Sequence, residues 1–335
     1  DTNLPRIDYT GGTGHWLFEP QSTNLVPQSE TFIAGWSKIN GVVVSATKVT
    51  SPDGTLNASQ LIYDGTNNGR IERAISGLTQ GADYTVSVYA RVSSGTQVVR
   101  FGSFNDFEYT LTTEWQRLTK TQPENDTVAY PRLRCDDAVT IEIWGFQLEE
   151  SSFATSYIPT EGAIKTRLQD AANGAGNSDL INSTEGTLYA EIAALANDGT
   201  NRFISLSDGT IANRINIVFD TSNNINARQA PGSVNISTSG VNILNSNKIA
   251  YKYQNGNQEL WVNGIKIGTT SVSTLPSGLD RLNFDSFNGG DFMYGKTKCV
   301  AVFKEALNND ELECLTGEGY DSFNALALAN NYTII

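Results

Sequence analysis

Apolar residues recur at every second position over short runs of the chain, and turn-forming residues separate the runs. A first series covers residues 42–46, 59–63, 84–91, 97–103, 117–121, 130–135 and 140–148. Within 84–91, Val86, Val88 and Ala90 share one parity, and Ser87, Tyr89 and Arg91 the other. Alternation of this kind predicts strands with one face in a core. Short strands in regular succession, joined by Gly and Asn/Asp turns, predict a sandwich. A second series runs over 187–193, 203–206, 215–220, 248–253, 259–262, 265–269, 281–287 and 298–303. Asn255-Gly256 and Asn263-Gly264 mark hairpin turns; the second would be a two-residue turn, because both residues tolerate positive φ. One helix is predicted over 309–316, with Asn308 as its cap and Glu311 three residues on. The pattern predicts an all-β chain: two β-sandwich (jelly-roll) modules in tandem with one short C-terminal helix.

Residues 1–21 carry Pro5, Gly11, Gly12, Gly14 and Pro20 and read as a lead-in segment, not as core strand. The first module is expected over 22–162 and the second over 187–335. Between them, 163–186 reads as a linker, because DAANGAGNSDLIN from Asp170 to Asn182 is small and polar throughout. With 335 residues, 39% of them hydrophobic, the chain can bury two cores. The formal net charge of −13 is spread over both halves, repels phosphate backbones and argues against nucleic-acid binding. No apolar run approaches the length of about 18 residues that would suggest membrane insertion. Cys135, Cys299 and Cys314 lack the spacing of a zinc motif and read as buried free thiols.

Two stretches carry a resemblance. PRIDYTGG…WLFEPQSTNLV (Pro5 to Val26) with QSETFIAGWS (Gln28 to Ser37), and IEIWGFQLEESSFATSYIPTEG (Ile141 to Gly162), resemble the two ends of a jelly-roll carbohydrate-binding-like module of bacteriophage tail-fibre and virion surface proteins. ELWVNGIKIGTTS (Glu259 to Ser271) and FMYGKTKCVAVFKEALNNDELECLTG (Phe292 to Gly317) resemble a concanavalin A-like (laminin-G-like) lectin/glucanase sandwich. The first resemblance implies a polysaccharide or cell-surface glycan as partner, other virion proteins as neighbours, homotrimeric assembly, and a virion-surface or extracellular location. It also implies a structural calcium ion between the first and last strands of the module, where Glu30 is the nearest carboxylate. No other cofactor is implied.

Catalysis is not expected. Residues 161–335 lack the alternating carboxylates that a glucanase places on one strand face. His15 is the one histidine, far upstream of any partner for lyase or triad chemistry. Binding chemistry has a better signal. Alternation turns Tyr89, Arg91, Arg100, Arg132, Arg134 and Trp144 outward, while Val88, Ala90, Val99, Phe101, Leu133, Cys135, Ile141 and Ile143 turn inward. Arginine forks grip carboxylate or sulfate, and aromatic faces stack on sugar rings, so the set points to an anionic polysaccharide. In the competing reading these arginines pair with Glu142, Glu149 and Glu150, or dock the second module, and Trp144 is core. The function expected is a non-catalytic carbohydrate-binding component of a phage particle. The rivals are a purely structural virion decoration protein and a secreted polysaccharide lyase or glycoside hydrolase with a binding module.

Overall fold

The computed structural model describes residues 6–10 and 12–319. The chain is all-β with one short helix, and it divides into two compact units. One is continuous, residues 21–168. The other is made of residues 6–20 together with 169–319.

The continuous unit pairs two five-stranded antiparallel sheets. One has the order Asp106–Leu111, Gln97–Gly102, Arg132–Cys135, Gly69–Glu72, Ser37–Ile39. The other runs Gln116–Pro123, Asp83–Val92, Ala138–Glu150, Ala58–Asp64, Val42–Val49. Their inner faces form one core, in which Val86, Val88, Ala90, Ile141 and Ile143 meet Ile71, Val99, Phe101, Leu133 and Cys135. Trp36 plugs one region of this core against Phe32 and Phe146. A break in the ladder falls between Trp144 and Gln147. Gly145 takes φ +69 there, and a Cβ on it would lie 3.2 Å from the Tyr157 ring. The extra residue reverses the alternation, so Phe146, two residues after the outward Trp144, lies fully buried in the core.

The discontinuous unit has a seven-stranded sheet: Arg6–Asp8, His15–Phe18, Gly295–Phe303, Glu185–Ala194, Asn247–Gln254, Asn257–Val262, Ile265–Thr270. A five-stranded sheet faces it: Val234–Thr238, Ile225–Ala230, Arg214–Phe219, Arg202–Ser207, Arg281–Asn283. Leu188, Ile192, Ile204, Ile217, Ile249 and Tyr251 belong to the core between them. At the expected hairpin, Asn263 and Gly264 take φ of 49 and 81. The helix spans Asn309–Thr316, with the Asn308/Glu311 capping box complete. It seats Leu312 and Leu315 on Tyr189, Ala250 and Trp261. The three thiols are free; Cys135 is buried, but Cys299 and Cys314 are only half-buried beside the helix cluster.

Two boundaries differ from the sequence reading. Residues 1–21 are not a lead-in outside the core: His15–Phe18 pairs with Gly295–Phe303, and Phe18 is 1% exposed. Nor is 163–186 a free linker. Lys165–Arg167 pairs with Ser22–Asn24, Ala175 bridges to Leu282, and Ile181 enters the core of the discontinuous unit. Small residues were mistaken for slack because backbone pairing needs no apolar side chain.

The outermost strand of the seven is held by an ion pair, Asp8 Oδ2 to Lys296 Nζ at 2.7 Å. Partial burial works against the Asp8 carboxylate, but the Lys296 ammonium and the Thr10 hydrogen bonds outweigh it and bring its pKa from 3.8 down to about 2. A depressed carboxyl contributes stability above its unfolded pKa and loses it as pH falls through the folded value. Amide exchange at Arg6–Asp8 should therefore accelerate between about pH 4 and 2. Lys296→Met should move that acceleration to higher pH, and an unchanged profile would exclude this pair as the cause.

Candidate functional site

The outward face of the sheet that carries the arginines can be built row by row from its register. One row crosses the sheet as Asp106, Gly102, Arg132, Glu72 and Ser37. The next is Glu108, Arg100, Arg134, Arg70 and Ile39. Three arginines thus stand on adjacent strands, an arrangement that is destabilising unless each is neutralised. Each is. Arg70 bonds Glu72 at 2.7 Å and Arg100 pairs with Asp136. Gly102 presents no side chain, so the Asp106 carboxylate reaches past it: Oδ1 accepts from Arg132 Nε and Oδ2 from Arg134 Nη1, both at 2.6 Å. Arg132 also donates to the carbonyls of Ser103 and Phe104, at 3.2 and 2.9 Å. The side chains of Phe104 and Tyr130 are exposed beside it, and Tyr130 N–H donates to the same Ser103 carbonyl.

The face is therefore charge-balanced. The expectation of an anionic ligand came from the arginines alone; Asp106, Glu72, Glu108 and Asp136 cancel their charge. What remains is a grid of donors and acceptors held by mutual ion pairs. A sugar hydroxyl both donates and accepts, so such a grid matches a polyol.

Tyr89, Arg91 and Trp144 do not join this face. Their inward neighbours come from the other sheet of the sandwich, so these three lie on its opposite outer face. Trp144 is 5% exposed, wedged between Tyr89 and Tyr157 at centroid distances of 5.5 and 4.5 Å. Arg91 Nε bonds Glu142 Oε2 at 2.7 Å, and its guanidinium covers the Trp115 ring. Arg117 covers Tyr89 and donates to Thr155 O. Arg91 is thus paired with Glu142 and Trp144 is buried, as in the competing reading, although the Trp144 indole N–H has no partner.

Glu30, the carboxylate expected at a calcium site, is held by protein donors. Its Oε1 accepts from the Tyr157 hydroxyl at 3.1 Å and its Oε2 from Asn57 Nδ2 at 3.0 Å. Lys48 also faces it electrostatically; burial lowers the pKa of that ammonium and the Glu30 charge partly restores it. Calcium takes six to eight oxygens, which carboxylates, carbonyls and waters can supply. Among the described residues no group of three or more His, Cys, Asp or Glu is placed to hold a metal.

Arg70, Glu72, Asp106, Glu108, Phe104 and Tyr130 were missed. Gly69–Glu72 is four residues long with a single buried aliphatic, Ile71, too short to show alternation. The acids were visible only as charges, because their strand partners are not written locally.

No family model matches the chain, and no curated protein matches it in sequence. Among solved structures it is similar to the CBM40 of Ruminococcus gnavus IT-sialidase bound to α2,3 sialyllactose, at 17% identity and TM-score 0.36, over 43% of this chain and 93% of that one. It is also similar to the CBM22-1 xylan-binding domain from Paenibacillus barcinonensis Xyn10C, at 13% identity and TM-score 0.31, over 40% and 94%.

Proposed function

We propose that the protein is a non-catalytic carbohydrate-binding component, an adhesion part of a phage particle that recognises a polysaccharide through its jelly-roll unit. The observation that carries this reading is the Asp106 carboxylate shared by Arg132 and Arg134, beside the exposed rings of Phe104 and Tyr130. The shared carboxylate fixes both guanidiniums, so little side-chain freedom is lost when they meet hydroxyls. An exposed ring supplies the flat apolar surface that a pyranose face covers. The phage setting, the virion-surface or extracellular location, the trimer and the neighbouring virion proteins are supported by the sequence resemblance. Absence of turnover is supported by the sequence, where His15 and the acids of the second module form no catalytic pattern.

A broad glycan array followed by calorimetric titration tests the reading. A neutral polysaccharide or oligosaccharide should bind. Arg100→Ala and Tyr130→Ala, at exposed positions, should each weaken it by about 1–3 kcal/mol, the scale of a charged hydrogen bond or a stacked ring. Added salt should change this affinity little, because the face carries no surplus charge. Failure of every glycan to bind would favour the decoration protein. Release of shortened or unsaturated sugars would establish the enzyme.

A further inference from the structure

The five-stranded sheet of the discontinuous unit has an outward face made almost wholly of polar residues. One row crosses all five strands: Asn235, Arg228, Asn216, Ser205 and Asn283. On the inward side of the same strands lie Ile204, Leu206, Ile215, Ile217, Ile225 and Ala227, which are core. Alternation explains why the row faces away from the core. It does not explain how the row is satisfied.

At the middle of the row the bonding is incomplete. Asn216 is 0% exposed, and neither its Nδ2 nor its Oδ1 has a partner. Ser205, directly across from it, is also 0% exposed with an unpartnered Oγ. Buried amides and hydroxyls with nothing to bond lower stability, and native folds retain few of them. Here two are adjacent and aimed the same way.

The surroundings have a definite chemistry. Arg228 stands across from Asn216 on the next strand, and Arg214 lies two residues before it on its own strand. Among the described residues neither arginine forms an ion pair. Burial, and then the charge of Arg228, lower the pKa of Arg214, as expected of two half-buried guanidiniums with no counter-ion between them. Arg214 lies over the Phe287 ring at 4.9 Å and Arg228 over Phe203 at 5.8 Å. Phe287 is held in place: its φ is +116, its N–H donates to Asp285 Oδ1, and its carbonyl accepts from Asn283 Nδ2. Asp285 spends its other oxygen on Gly289 N–H.

We infer that this face is a second saccharide site, specific for a sugar that bears an anionic group. The anion takes Arg214 and Arg228. Adjacent hydroxyls take the amide of Asn216 and the hydroxyl of Ser205. The rings of Phe203 and Phe287 hold the two guanidiniums in place. The inference stands on the discontinuous unit alone and does not require the jelly-roll face to bind anything. The two sites then divide the work, a neutral grid on one unit and a cationic face on the other.

The test uses the full chain, titrated at low salt with three oligosaccharides of equal length: uronate, sulfated and neutral. The uronate or the sulfated sugar should bind at least about tenfold tighter than the neutral one at this site, and whichever is tighter names the anion. Arg214→Ala and Arg228→Ala should each weaken acidic-sugar binding by about tenfold or more. Raising the salt should weaken it further. Asn216→Leu should abolish it and at the same time raise the unfolding midpoint of this unit, since the substitution removes an unpaired buried amide. Leu56→Ser, at an exposed position of the continuous unit away from its arginine face, should leave acidic-sugar affinity unchanged. The inference is overturned if neither acidic sugar binds, if binding survives the Arg214→Ala/Arg228→Ala double substitution, or if inorganic sulfate binds as tightly as the sugars.

Discussion

Replacing Phe18 by alanine should destabilise the unit of residues 6–20 and 169–319 by about 3–5 kcal/mol, the usual cost of removing a fully buried phenylalanine. The unfolding of residues 21–168 should not move. Phe18 is 1% exposed and stacks on Phe284 with centroids 4.6 Å apart. It belongs to a core that otherwise comes from far later in the chain, with Met293 and Ile181 among its members. Its strand docks where Gly295 lies opposite it, and a Cβ on Gly295 would meet Ala193 O at 2.4 Å, so the backbone there cannot yield to refill the space. Calorimetry that resolves the two units should show one transition lowered. A loss smaller than about 1 kcal/mol, or a loss in the jelly-roll transition, would contradict the assignment of this strand.

Asp106→Ala should cost the jelly-roll unit about 3–5 kcal/mol, because it strands two guanidiniums that share one mostly buried carboxylate. Side-chain exposure is 9% for Asp106 against 17% and 22% for Arg132 and Arg134, so water cannot readily replace the lost partner. Part of the loss is mutual repulsion between the arginines and should be recovered in high salt. Asp106→Asn keeps shape and one acceptor, and should cost less. Urea unfolding monitored in this unit reads both. Equal stability in Asp106→Ala would show that the triad is loose, and a loose triad could not act as the fixed grid proposed for glycan binding.

Alternation made the inward set legible: Val88, Ala90, Val99, Phe101, Leu133 and Cys135 are all core. It could not reveal which sheet each strand joins. Tyr89 and Arg100 both point outward, yet from opposite sides of the sandwich, because Asp83–Val92 and Gln97–Gly102 are consecutive in sequence but belong to different sheets. Period two fixes a face only relative to its own strand. The bulge at Gly145 was equally invisible, since a glycine inside a strand signals a possible kink without placing it. In the other unit, Ile225–Ala230 and Val234–Thr238 do alternate, but Asn226, Asn235 and Ser237 among their outward residues are types that also favour turns. The helix was legible to the residue because its capping box is local. His15–Phe18 was not, because its partner strand lies at the other end of the sequence.

That distance sets the order of events as the chain is made. The strands Arg6–Asp8 and His15–Phe18 leave the ribosome well before the strand that receives them, Gly295–Phe303. The whole of 21–168 emerges in between and contains every strand its own two sheets require. The jelly roll can therefore fold while the earliest strands wait unpaired, and closure of the second sandwich becomes a late step. Such long-range closure is slow and leaves Phe18 exposed meanwhile. His15–Phe18 acts as a clasp, fastened only when synthesis of the second sandwich is nearly done.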